Sequence, residues 1–214
     1  VIFVLATTDR DKVPDTIQSR CEIYSFKQPT REVLAHVIAD VAKKEGYTLE
    51  PSASELVALL AEGSFRDGLS ILQKVLAVSK DKKVNVLEVE EVSGAPRGEL
   101  IRRVLKAISE KNAKDALSAI REAVDENLDA RTLAKLLIHR MRVVLLLRYA
   151  PDLAESFSKE LTEADLALAK DVSKNPGVTS ETLRILLEAY GTMAYAAVPH
   201  LPLELAVIDI CAKE

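Results

Sequence analysis

"AEGSFRDGLSILQ", residues 61–73, sets the end of one helix and the start of the next. Gly63 stands where a helix stops, Ser64 where the next is capped, and Asp67 at the third-residue carboxylate of a capping box. Leu69, Leu72, Val75 and Leu76 then form an apolar stripe at helical spacing. Arg66 consequently falls in a first turn. The backbone N–H groups there already present about half a positive charge, and an added cation is disfavoured by about 0.3–1 kcal/mol. Such a site becomes favourable to the guanidinium only when an anion joins it.

Outward from this stretch the pattern is helical in both directions. Upstream, Val33, Leu34, Val37, Ile38 and Val41 share a face, with Thr30 as N-cap and Gly46 just past the end. Ser52 and Glu55 read as a capping box before Leu56, Leu59 and Leu60. Downstream, the polar turn "KDKK" leads to a short helix around residues 87–92, ended by Gly94. "GAPRGE", residues 94–99, interrupts the pattern. Six more helices are expected beyond it. Their signals are the stripes from Leu100 to Ile108 and from Ala116 to Val124, a long apolar helix capped by Asp129, caps at Thr162 and at Thr179 or Ser180, and Pro202 at the start of the last helix.

The first 27 residues differ. "VIFVLATT", residues 1–8, is a β-branched run that reads as a strand buried on both faces, and "EIYSF", residues 22–26, alternates like a second strand of the same sheet. Between them lies room for a short helix near residues 14–19. A buried parallel strand without partners implies that the sequence starts partway through a larger α/β domain.

The 214 residues, 48% of them hydrophobic, are enough for one large or two small cores. A net charge of −4 leaves any nucleic-acid contact to a local basic patch. Cys21 and Cys211 are read as free thiols of a cytoplasmic chain, Cys21 as a packed small hydrophobe, and no apolar run is long enough to cross a membrane. His36, His139 and His200 lie far apart without further ligands at metal-binding spacing, so no metal site is expected.

"FVLATTD", "TIQSRCEIYSF" and "AEGSFRDGLSILQ", in that order, resemble the gamma/tau subunit family of bacterial DNA polymerase III, the ATP-driven AAA+ motor of the clamp loader. The resemblance implies a mainly α fold in three parts. Residues 1–27 would be a two-strand remnant of the ATPase core, 28–95 a helical lid, and 96–214 a helical collar through which subunits assemble. It also implies that Thr8, with Thr7 beside it, is sensor 1, that Arg20 is the arginine finger acting on a neighbouring subunit, and that Arg66 is sensor 2. Thr8 and Arg20 would then serve catalysis, and Arg66 and Thr7 nucleotide binding. ATP and Mg²⁺ belong to the full-length protein. This chain has no G-x-x-x-x-G-K-[ST] loop, so no nucleotide is expected to bind it alone. Implied partners are delta, delta-prime and further gamma/tau subunits, with the sliding clamp and primer–template DNA in the full assembly, and no membrane.

Local readings compete with each assignment. Arg66 can be a surface residue paired with Asp67 or Glu62, Arg20 a cation favoured at a helix end, and the threonines a strand terminus. For the whole chain the alternatives are a non-hydrolysing delta-prime-type subunit, against which the intact "GSFRD" argues, and a helical scaffold without enzymatic role.

Overall fold

The computed structural model describes residues 2–153 and 161–212. After a 3-10 turn at Arg10–Lys12 and helix α1 at Asp15–Gln18, a first bundle comprises α2 (Arg31–Lys44), α3 (Pro51–Leu60), α4 (Phe65–Val78) and α5 (Val86–Ser93). A second comprises α6 (Gly98–Ser109), α7 (Ala113–Asp125), α8 (Ala130–Tyr149), α9 (Glu163–Val172), α10 (Ser180–Met193) and α11 (Leu201–Ala212). The fold is mainly α, as the capping and periodicity signals predict.

Most helix starts are fixed by side chains the sequence places there. The Thr30 hydroxyl accepts from the Val33 amide at 3.3 Å, Asn85 from Glu88 at 3.1 Å, and Asp129 from Thr132 at 2.7 Å. One cap differs from expectation. α3 begins at Pro51, two residues after β1, because proline's missing N–H costs nothing at a first helical position. Ser52 is thereby drawn inside the helix, and Glu55 is released to pair with Arg31 at 3.0 Å.

The two strands are also not where the sequence suggests. Residues 2–8 and 22–26 form no ladder, and Ile2, Phe3, Val4 and Phe26 are exposed by 92, 82, 89 and 96%. Val1 lies outside the described residues. A parallel strand is stable only between hydrogen-bonded neighbours, and among the described residues these two stretches have none. Cys21 shares this segment and is exposed rather than packed, while Cys211 is partly buried; both are free thiols. The strands that do form are two residues each. β1 (Thr48–Leu49) pairs in parallel with β2 (Lys83–Val84), tying together the turns that lead into α3 and α5.

The apolar faces of both bundles join in one continuous core. Leu34, Ile38 and Leu72 fill the first bundle, and Ile108, Leu133 and Met141 the second, all essentially inaccessible. α8 is the axis of the second bundle: it packs on α6, α7, α9 and α10, so its apolar run is covered from several sides. Near its end Arg148 donates to the carbonyls of Ser173, Asn175 and Val178, gathering the loop after α9. No helix among the described residues is long and apolar enough to span a membrane.

Candidate functional site

The turn into α4 is built by two consecutive left-handed residues, Glu62 at φ +51° and Gly63 at φ +82°. Glycine adopts that region freely, whereas glutamate does so at a cost. Ser64 then caps α4, its hydroxyl accepting from the Asp67 amide at 3.2 Å. The capping box is thus half formed, since Asp67 does not return the bond. Arg66 follows as the second residue of α4 and is exposed. Among the described residues it has neither an ion-pair nor a hydrogen-bond partner. The competing reading, a pair with Glu62 or Asp67, is not realised, because Glu62 is turned away to Lys135 at 2.8 Å. A guanidinium and a helix N-terminus therefore share one exposed place. Phe65 and Leu69, 42 and 37% exposed, flank it on the same helix. Gln28 comes to 3.4 Å from where a Cβ on Gly63 would stand, so the chain arriving from residues 2–27 passes this turn.

The other expected residues lie apart from it. The Thr7 hydroxyl accepts from the Asp9 amide and donates to the Asp9 carbonyl, both at 3.0 Å, which closes a local turn. Thr8 is exposed. Arg20 is exposed too, just after α1, its amide donating to the Ile17 carbonyl. Neither the 3-10 turn nor α1 packs substantially on the helical bundles, so Thr8, Arg20 and Arg66 are not gathered into one constellation.

A second polar cluster, between the bundles, has no counterpart in the sequence reading. Arg31 of α2 pairs with Glu55 and contacts Nε2 of His139 on α8. Burial first, then the charges of Arg31, Arg140 and Arg142, push the His139 pKa down to about 3. The ring is therefore neutral at pH 7. Because arginine can only donate, Nε2 accepts and the proton sits on Nδ1. One turn earlier on α8, Lys135 donates to the Leu59 carbonyl at 2.6 Å as well as to Glu62. Asp165 of α9, 3% exposed, is held by Arg102 at 3.1 Å and Arg140 at 2.8 Å. Glu90 accepts from the Gly98 amide at 2.9 Å, and burial raises its pKa. Arg31, Glu55, Glu90, Arg102, His139, Arg140 and Asp165 border a cavity of about 340 Å³. The available signal was polar residues at core-facing spacing in α8, Lys135 and His139 being four apart, but their partners lie 73 and 108 residues away.

What the site can do chemically is limited by its donor set. Arg66 and the α4 N-terminus fit a phosphate oxygen. Among the described residues, no cluster of His, Cys, Asp and Glu could hold a metal ion.

Comparison with known proteins bears on the same segments. Residues 33–81 match the DNA polymerase III clamp loader subunit ATPase lid domain, and residues 84–214 match domain III of the DNA polymerase III gamma and tau subunits. Among curated relatives, DNA polymerase III subunit tau of Bacillus subtilis is 30% identical over 98% of this chain and 37% of its own length. Subunit gamma/tau of Mycobacterium tuberculosis is 28% identical over 100% and 36%, and subunit tau of Escherichia coli 33% identical over 68% and 23%. Among solved structures, the Bacillus subtilis DNA clamp loader delta protein (YqeN) covers 97% of this chain and 64% of its own at 16% identity, with a TM-score of 0.46. The chain thus spans little more than a third of the length of the relatives it matches throughout. Lid model and domain III model together select gamma/tau over the delta-prime and scaffold alternatives, and the chain belongs to the family of DNA polymerase III gamma and tau subunits.

Proposed function

We propose that this chain is the nucleotide-responsive lid and the assembly collar of a clamp-loader motor subunit, a cytoplasmic protein that couples ATP binding and hydrolysis to placing the sliding clamp on primed DNA. The observation that carries the reading is the exposed Arg66 at the N-terminus of α4, paired with no carboxylate among the described residues. When bound, ATP with Mg²⁺ supplies the phosphate oxygens and the bond to be hydrolysed. Arg66 donates paired N–H bonds to a phosphate oxygen, and the α4 amides add their dipole to the same charge. Because Arg66 is fixed to α4, engaging that oxygen draws the first bundle toward the ATPase core, to which residues 1–27 contribute. Thr8 orients the attacking water, with Thr7 beside it shaping the turn. Arg20, exposed after α1, reaches a neighbouring subunit's nucleotide; such a residue supplied in trans can be worth about 10³–10⁵ in rate.

The second bundle, residues 96–214, assembles with delta, delta-prime and further gamma/tau copies. Support comes from α11, which buries Leu203, Ala206, Val207 and Ile210 yet leaves Leu201, Leu205 and Ile208 exposed on one opposite face.

The direct test is Arg66→Ala in the full-length protein within its reconstituted assembly. Nucleotide-dependent clamp loading is expected to fall at least tenfold, on the order of one charge-assisted phosphate contact. Undiminished loading overturns the reading.

A further inference from the structure

The turn that aims Arg66 is held from outside its own bundle. Lys135 projects from α8, its side chain 20% exposed, and its ammonium bridges the Leu59 carbonyl at 2.6 Å and the Glu62 carboxylate at 2.8 Å. Leu59 lies in the last turn of α3, where carbonyls lack helical partners and a cation is favoured. Glu62 is the non-glycine residue of the left-handed pair, a conformation that persists where surrounding contacts enforce it. Four residues on is Arg66.

A second attachment stands one turn along α8. His139 takes the Arg31 guanidinium, which in turn pairs with Glu55 of α3. Two contacts from one helix, to the end of α3 and to the start of α2, suppress rotation of the first bundle about either contact alone.

We propose that Lys135 is a positioning residue for Arg66: it clamps the α3–α4 turn to the collar helix α8, fixing the direction of the phosphate-seeking guanidinium and making lid and α8 move together. The inference rests on the reading of Arg66 as the nucleotide sensor. Lys135 touches neither nucleotide nor reacting atoms; it acts through the backbone of residues 59–64.

The test uses the full-length protein in its assembled complex and measures the affinity of a fluorescent ATP analogue for wild type, Lys135→Met, Arg66→Ala and the double variant. Lys135→Met keeps most of the aliphatic stem and removes the donor. Its affinity is expected to fall about three- to tenfold, in the range by which residues remote from a ligand modulate coupling. On the Arg66→Ala background the same substitution is expected to change affinity by less than about twofold, because there is then no side chain left to aim. Lys135→Arg, which retains a donor, is expected to restore most of the loss. Should Lys135→Met fold poorly, as judged by thermal unfolding, Glu62→Gln decides, with a smaller loss in the same direction expected. Unchanged affinity in Lys135→Met while Arg66→Ala is impaired overturns the positioning role and leaves the sensor reading intact. A Lys135→Met loss that persists in full on the Arg66→Ala background assigns Lys135 to bundle stability alone and also overturns it. An unimpaired Arg66→Ala overturns both.

Discussion

His139 shows how a single side chain can look inert in the sequence and be decisive in place. It is neutral and buried against Arg31, with its pKa pushed to about 3 from an ordinary value near 6.5. Between those values the unfolded chain takes up a proton that the folded chain refuses, so stability is intact above about pH 6.5 and declines as pH falls toward 3. The loss amounts to a few kcal/mol, on the order of 1.4 kcal/mol per unit. Urea unfolding of wild type and His139→Gln across this range is expected to show a markedly shallower pH slope for the variant; equal slopes would remove His139 as the cause. At this scale the sequence was informative where the chemistry is local and silent where it is not. The place of Arg66 followed from Gly63 and Ser64 beside it, because caps act over three or four residues. That Glu62 would ignore Arg66 and turn to Lys135 depends on a residue 73 positions away.

Helices were legible for the same reason, and strands were not. Thr30, Asn85 and Asp129 each bond an amide three residues on, so their effect is written in adjacent letters. Residues 2–8 have the composition of a buried strand, but a strand is a relation between segments, and these have no neighbour among the described residues. β1 and β2 pair over two residues only, too short for any periodicity to announce them. The α4 helix carries a further constraint. Gly68 is buried where a Cβ would come within 3.2 Å of the Ile38 Cδ1 and 3.3 Å of the Ala61 Cβ. Ile38 can shift its terminal methyl, but Ala61 is fixed to the end of α3. Gly68→Ala gains about 1 kcal/mol of helix propensity and loses about 1–3 kcal/mol to overpacking. A net loss near 1 kcal/mol is expected, seen as a lowered melting temperature and recovered by adding Ala61→Gly. A raised melting temperature would mean that α4 lies less tightly on α3 than described.

Over the whole molecule, the surface left uncovered is as informative as the core. Leu205 and Ile208 remain 53 and 41% exposed on the face of α11 opposite its buried one. Replacing both by glutamate is expected to leave helicity and thermal unfolding nearly unchanged while abolishing co-assembly in sedimentation with partner subunits. Wild-type assembly by that variant would move the contact to another face. Gly94, Pro96 and Gly98 mark a break in the helical pattern in adjacent letters, whereas the polar seam has no such mark, since it joins α2, α3 and α5 to α8 and α9 through residues far apart in sequence. That seam gives α8 a mechanical property of its own. It is one unbroken helix from Ala130 to Tyr149, gripped by the first bundle near its beginning and forming the axis of the second along its remainder. From Lys135 to Tyr149 it extends about 21 Å at 1.5 Å per residue. Used as a lever arm, it would convert a tilt of about ten degrees at the gripped end into a swing of about 4 Å at the other, so that under the proposed function a small movement of the first bundle would arrive magnified at the far end of the second.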